Sequence, residues 1–206
     1  MILYGARHSA NARRVKIYLV EKGIALDQID YEIPYPEMKT AAFTAMSPTG
    51  RIPVLALDDG SHVVESIAII EYLEELNPHP DMIGATPEER LRTRALSSIV
   101  SDLVIPIGTY VRHRGAEPGF LESRGLPRYP QMAEFFLGYV DRGLAALETM
   151  IGYNDFLAGD RPMIPDCHAF AILQACVDKF GYEFTNQVPR LKAWYARFAT
   201  RASAAL

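Results

Sequence analysis

The stretch RIPVLALDDGSHVVESIAIIEYL, residues 51–73, carries more architectural information than any other part of the chain. Two short apolar runs, PVLAL and HVV, are joined by DDGS, whose Asp-Gly supplies the positive φ values of a tight antiparallel turn. A helix then opens at Ser66, with Ile69, Tyr72, Leu73 and Leu76 on one stripe. Two features exceed what a plain hairpin and helix require. Pro53 opens the first strand, where it cannot donate to a sheet ladder, and Glu65 precedes a serine that already suffices as a helix start.

Upstream, short strand-like and helical runs alternate. Residues 2–5 form a short apolar start, and 11–22 carry Val15, Tyr18 and Leu19 at i, i+3 and i+4 before stopping at Gly23, a good helix end. LDQIDYEI alternates through Ile29, Tyr31 and Ile33 as a strand does, and 38–46 hold a short helix ahead of the turn SPTG. The order is β-α-β-α-β-β-α, ending near Asn77. That is a small mixed sheet with helices against it if the first two strands are parallel.

Downstream the character changes. NPHPDMIGATPEE is proline-rich and aperiodic, a linker over 78–88, with Thr86 as N-cap and Pro87 as the first residue of the next helix. After it every long pattern is helical: Leu91 to about Tyr110 with a kink expected at Pro106; 131–150 with Phe136, Val140, Leu144 and Leu147 on a face; 166–177; and 189–200. The expected fold class is α+β, with a βαβαββα domain over 1–77 and an all-α domain over 89–206.

Composition narrows the function classes. A chain of 206 residues, 49% hydrophobic and 22% charged, buries a sizeable core without disulfides. A formal net charge of −4 argues against a general polyanion binder, so nucleic acid is not an expected partner. Cys167 and Cys176 are nine residues apart in a helical pattern and form neither a CxxC pair nor a disulfide framework, which fits a reducing compartment. The opening MILYGARHSANARRVKIYLVEKG lacks the basic start, apolar run and cleavage site of a secretory signal. No apolar run approaches the roughly 20 residues of a bilayer span. A cytoplasmic location is expected. The five histidines lack metal-ligand spacing, so no metal site is expected.

These motifs, in this order, resemble the cytosolic glutathione transferase superfamily over essentially the whole chain. LYGARHSANARRVKIYLVEKG is similar to the family's opening strand, catalytic loop and first helix. MSPTGRIPVLALDDGSHVVESIAIIEYLEE is close to its pattern NPxGxVPxLxxDDGxxLxESxAIxxYLxE, and FLAGDRPMIPDCHAF resembles its approach to the sixth helix. The resemblance implies a thioredoxin-like first domain and a helical second one. It further implies a cytoplasmic homodimer that uses glutathione as co-substrate against a small hydrophobic electrophile, of the detoxification type.

Site residues follow from the same resemblance. The peptide bond ahead of Pro53 is implied to be cis, leaving the Ile52 main chain open to pair with the cysteinyl backbone of glutathione as an added strand would. Ser66 is implied to hold the γ-glutamyl carboxylate at a helix N-terminus, with Glu65 as counter-charge to its ammonium; Ser66 is equally an N-cap. Lys39 and Arg51 stand where cations for the glycyl carboxylate are found, though solvated surface charge is the commonest fate of such residues. Ser9 aligns with the catalytic serine of serine-type classes, in a tetrad SANA where a thioredoxin-like fold has CxxC. Asn11 stands where some bacterial members use a polar residue near sulfur, and is donor, N-cap or both. Tyr4 is read as packed and His8 as a polar loop residue.

The second-substrate pocket is assigned to Tyr110 and His113, against the alternative that YVRHR is a solvated helix end. Asp102 is a candidate for reaching across a dimer interface. Met163 departs from the Ser or Thr that opens the family's capping box three residues before Asp166, and Ser47 replaces an Asn before Pro48. Two other functions remain open on these residues: a glutathione-dependent disulfide reductase, and a non-catalytic interaction module.

Overall fold

The computed structural model describes residues 1–7, 9–32, 40–115, 121–122 and 125–206. Contacts divide the chain into two compact units, Met1–Ile83 with Ala199–Leu206, and Gly84–Phe198.

The first unit follows the expected order: β1 (Ile2–Gly5), α1 (Ala10–Lys22), β2 (Asp27–Asp30), α2 (Ala41–Met46), β3 (Val54–Ala56), β4 (His62–Val64) and α3 (Ser66–Leu76). The strands form one sheet in the order β2-β1-β3-β4. β1 runs parallel to β2 and antiparallel to β3, and β3 pairs antiparallel with β4, Val54 facing Val64. β2 is one of the two edges, and its Asp-Gln-Ile-Asp residues are all exposed. Charged residues on an edge discourage pairing with other chains. The alternation through Ile29, Tyr31 and Ile33 therefore overstated the strand: Tyr31 lies past its end and packs on Tyr4 and Phe43, with ring centroids 6.2 and 5.5 Å away. Ile33 lies outside the described residues.

Val15, Tyr18 and Leu19 of α1 are all buried, and the helix ends at Gly23 with φ of 73°, the left-handed conformation that glycine adopts without a Cβ penalty. On α3 the buried stripe is Ile69, Ile70 and Leu73; Leu76, expected inside, is half exposed, because Glu74 takes the inward position in the last turn. The Glu74 carboxylate accepts from the Tyr18 hydroxyl at 2.7 Å, Lys22 Nζ at 2.6 Å and Met82 N–H at 2.6 Å. A buried ion pair surrounded by further donors is the form in which such a charge is tolerated.

The helical unit comprises α4 (Pro87–Arg114), α5 (Pro130–Ile151), α6 (Ile164–Phe180) and most of α7 (Pro189–Ala199). Thr86 caps α4 as expected, its hydroxyl accepting from Glu89 N–H while the Glu89 carboxylate returns to Thr86 N–H. α4 runs through Pro106 without interruption and buries Leu96, Val100, Leu103, Ile107 and Val111 at helical spacing. Gly143 of α5 permits a close approach, since a Cβ there would lie 2.9 Å from the Leu103 side chain. α6 is buried nearly all round, and α7 adds Leu191, Trp194 and Phe198.

The end of the chain departs from the expected 89–206 boundary. Residues 199–206 belong with the first unit, because Arg201 makes a two-pronged ion pair with Glu21 of α1, at 2.7 and 2.8 Å, and Ser203 Oγ donates to the same carboxylate. Arg13 holds the carbonyl oxygens of Ala204 and Leu206. Among the described residues no helix is long and apolar enough to cross a membrane, and no group of three or more potential ligands gathers to hold a metal.

Candidate functional site

Three separated segments of the first unit converge on one pocket, with about 290 Å³ of empty space, solvent included, lined by Asn11, Thr49, Arg51, Ile52, Pro53, Glu65 and Ser66. Five of the seven, Arg51, Ile52, Pro53, Glu65 and Ser66, are residues that the sequence singled out, and Asn11 is a sixth.

The wall begins at Ser47, fully buried in the turn between α2 and β3. Its Oγ donates to the Arg51 carbonyl at 2.8 Å and accepts from the Arg51 N–H at 3.1 Å. With the hydroxyl proton committed to that carbonyl, the 3.3 Å contact with Thr49 Oγ1 has Thr49 as donor. One hydroxyl thus clamps both main-chain groups of the residue preceding Ile52. The Ile52-Pro53 bond is cis, as is His79-Pro80. Ile52 is itself buried with Ala6, Phe43 and Val54, which anchors the wall in the core. Nothing in the sequence reading assigned Ser47 more than a turn position.

The opposite wall is the entrance to α3. Glu65 is the only non-glycine described residue with positive φ, 71°, a conformation that costs on the order of 1–3 kcal/mol and persists only where the surroundings impose it. Glu65 occupies the N-cap position and makes no side-chain cap bond, so Ser66 is the first helical residue and not the cap. The Ser66 hydroxyl consequently has no capping duty. It lies beside the unpaired N–H groups of the first turn, where an anion is stabilised.

Ser9 caps α1, its Oγ accepting from Ala12 N–H at 3.4 Å, and is not among the residues lining the pocket. Asn11 is, and its Oδ1 accepts from Arg14 Nη2. Arg14 is buried; desolvation pulls its pKa down to about 10, against the opposing influence of Glu65. It remains a cation at neutral pH. Arg51 is exposed on the pocket rim. Lys39 and His8 lie outside the described residues.

Tyr110 and His113 belong to the helical unit. Tyr110 packs edge-on against Tyr182 at 6.3 Å beneath the Arg114 guanidinium, which donates to the carbonyls of Phe180 and Gly181. His113 Nδ1 accepts from the Tyr129 N–H at 3.0 Å. Asp102 is exposed on α4. At the start of α6, Met163 offers no hydroxyl, yet Asp166 accepts from the N–H groups of Met163 and Leu157 and from Trp194 Nε1, at 3.0, 2.8 and 2.7 Å. The missing half of the box is supplied from the main chain, Asp166 N–H bonding the Met163 carbonyl at 3.0 Å.

A sheet of this topology with helices packed against it, carrying a pocket lined by a cation, an anion, a hydroxyl and an amide and followed in the chain by a helical unit, is a thioredoxin-like domain joined to an all-helical one. Residues 8–76 match the glutathione S-transferase N-terminal domain family and 128–202 the C-terminal domain family. A maleylacetoacetate isomerase of Pseudomonas aeruginosa is 32% identical over 88% of this chain and 83% of its own length. The crystal structure of a glutathione S-transferase domain-containing protein from Marinobacter aquaeolei superposes with a TM-score of 0.83 at 31% identity, over 99% of this chain and all of that one. A maleylacetoacetate isomerase from Methylobacterium extorquens, determined with malonate and glutathione bound, gives 0.79 at 27% identity, over 100% of this chain and 95% of that one. The chain belongs to the cytosolic glutathione transferase superfamily.

Proposed function

We propose that the protein binds glutathione in this pocket and presents its sulfur as a thiolate to an electrophilic carbon. The observation that carries the reading is the gathering of Asn11, Arg51, Ile52, Pro53, Glu65 and Ser66 around one opening. Glutathione is an extended peptide with a zwitterionic end and a carboxylate end. Ser66 and the first N–H groups of α3 suit the γ-glutamyl carboxylate, Glu65 its ammonium, the Ile52 main chain the cysteinyl backbone, and Arg51 the glycyl carboxylate.

An unperturbed thiol titrates near 8.5, so most of it is protonated at neutral pH, and the site must favour the anion. The N-terminus of α1 and the Asn11 carboxamide supply positive potential and a donor on the pocket side. Ser9 completes the helix start. Its Oγ accepts the Ala12 N–H and retains its own proton, so a direct contact with sulfur is a second arrangement of the same chemistry.

Two fates of the adduct follow from elementary chemistry. Attack on a carbon bearing a leaving group ends as a glutathione conjugate. Addition to a conjugated cis double bond, rotation about the resulting single bond and expulsion of the thiolate returns a trans product with glutathione regenerated. The relative named maleylacetoacetate isomerase favours examining the second fate beside the first. A homodimer in the cytoplasm is part of the proposal.

Calorimetric titration with glutathione should give saturable heat, and absence of it overturns the binding reading. Turnover of an activated aryl chloride, a cis-enedione acid and a mixed disulfide then separates conjugation, isomerisation and reduction. Asn11→Ala should lower kcat/KM by about a hundredfold, the loss typical of one preorganised donor to a developing anion. If Ser9→Ala gives that loss and Asn11→Ala does not, Ser9 is the sulfur's donor.

A further inference from the structure

We propose that Arg14 is a positioning residue that fixes the Asn11 carboxamide with Oδ1 turned to the guanidinium, leaving Nδ2 and its two hydrogens to face the pocket. The proposal rests on the reading above only for what occupies that pocket. Arg14 follows Asn11 by one turn of α1 and is 5% exposed. A guanidinium carries five N–H donors and no acceptor, so the Asn11 atom against it has to be the oxygen. Turning the amide over would set N–H against N–H. The orientation of an exposed asparagine is thereby decided from inside the protein, and the edge left over is the one a thiolate requires.

Among the described residues, Asn11 is the hydrogen-bond partner that the Arg14 guanidinium has. The Arg14 Nε is buried without a hydrogen-bond partner among the described residues, and burial of the guanidinium lowers its basicity, so the side chain is poorly served as a stabilising element. The neighbouring charge acting on it is Glu65, across the same pocket-lining set. A cation held near Glu65 also limits how negative that wall becomes before a peptide arrives.

Arg14→Met keeps an unbranched side chain in the slot and removes every donor. Its urea midpoint should stay level or rise, since a buried ion with an unmet donor is replaced by an apolar group. In protein without glutathione, the Asn11 Nδ2 resonance, assigned by its disappearance in Asn11→Ala, should show a rigid order parameter of roughly 0.85 that falls below about 0.6 in Arg14→Met. With glutathione bound, the thiol pKa read from thiolate absorbance should rise by about one unit and kcat/KM fall about tenfold. In an Asn11→Ala background, Arg14→Met should add no further shift. An unchanged amide order parameter overturns the proposal, as does a thiol shift that persists without Asn11. Failure of the wild-type protein to bind glutathione would remove the functional reading alone, because the amide measurement needs no ligand.

Discussion

Ser47 shows how much of the site a single hydroxyl organises. It is wholly buried and bonds both the N–H and the C=O of Arg51, one residue before Ile52. Ser47→Ala removes both bonds and leaves the Arg51 main chain to find water, which should lower stability by about 1–2 kcal/mol. The loop's position is the more sensitive quantity. KM for glutathione should rise several-fold with kcat little changed, since in the proposed function the wall contributes binding and not thiolate stabilisation. Steady-state kinetics at varied glutathione checks this; a fall in kcat at unchanged KM would place Ser47 nearer the chemistry than its contacts do.

At the scale of an element, α6 depends on Asp166. Its carboxyl is entirely buried, and desolvation raises its pKa to about 6 from the ordinary 3.8, while three N–H donors pull the other way. Between these values the native state holds more protons than the unfolded chain. The group's contribution is therefore complete below about pH 4 and is lost as pH rises through about 6, a change of about 3 kcal/mol. Asp166→Asn abolishes the titration and turns an NH2 toward one of the donors, so the variant should be less stable throughout. Its deficit should narrow as pH rises across this window, measured by urea unfolding at several pH values. A deficit that widens with pH would mean that the three donors outweigh desolvation.

At the scale of the whole molecule, the helical unit presents apolar side chains to solvent: Ile105 is 71% exposed, Phe135 64% and Tyr139 46%. Phe135, Phe136 and Tyr139 pack on one another on α5, with Arg142 stacked on Tyr139 at 4.6 Å. Apolar groups clustered this way are characteristic of surfaces that are covered in use. The proposed homodimer should have twice the 23.0 kDa mass of the chain by light scattering, and Phe135→Glu should shift it to the monomer without changing the thermal midpoint of a dilute sample. A wild-type monomer at all concentrations would remove the homodimer from the proposal.

What the sequence determined by itself was whatever is encoded locally. The hairpin's position, the Gly23 terminus and the Thr86 cap each depend on residues within a few positions, and the structure has them there, although in the hairpin turn only Gly60 takes a positive φ, 86°, and Asp59 does not, because the turn spans Leu57 to Ser61 and is not a two-residue one. The pairing of Ile52 and Pro53 with Glu65 and Ser66 was legible because a contiguous motif carries both walls. Tertiary structure alone decided the roles within that frame. Ser66 lost the cap to Glu65 because the backbone turns at positive φ there, and Ser9 became a cap while Asn11 took the pocket edge. Leu76 surrendered its inward position to Glu74 because Tyr18 and Lys22 approach from another helix, and the chain's last residues joined the first unit through Glu21. The last two outcomes are set by partners distant in sequence. A pattern of residue types records which face of an element is apolar, but not which polar group on another element waits to meet it.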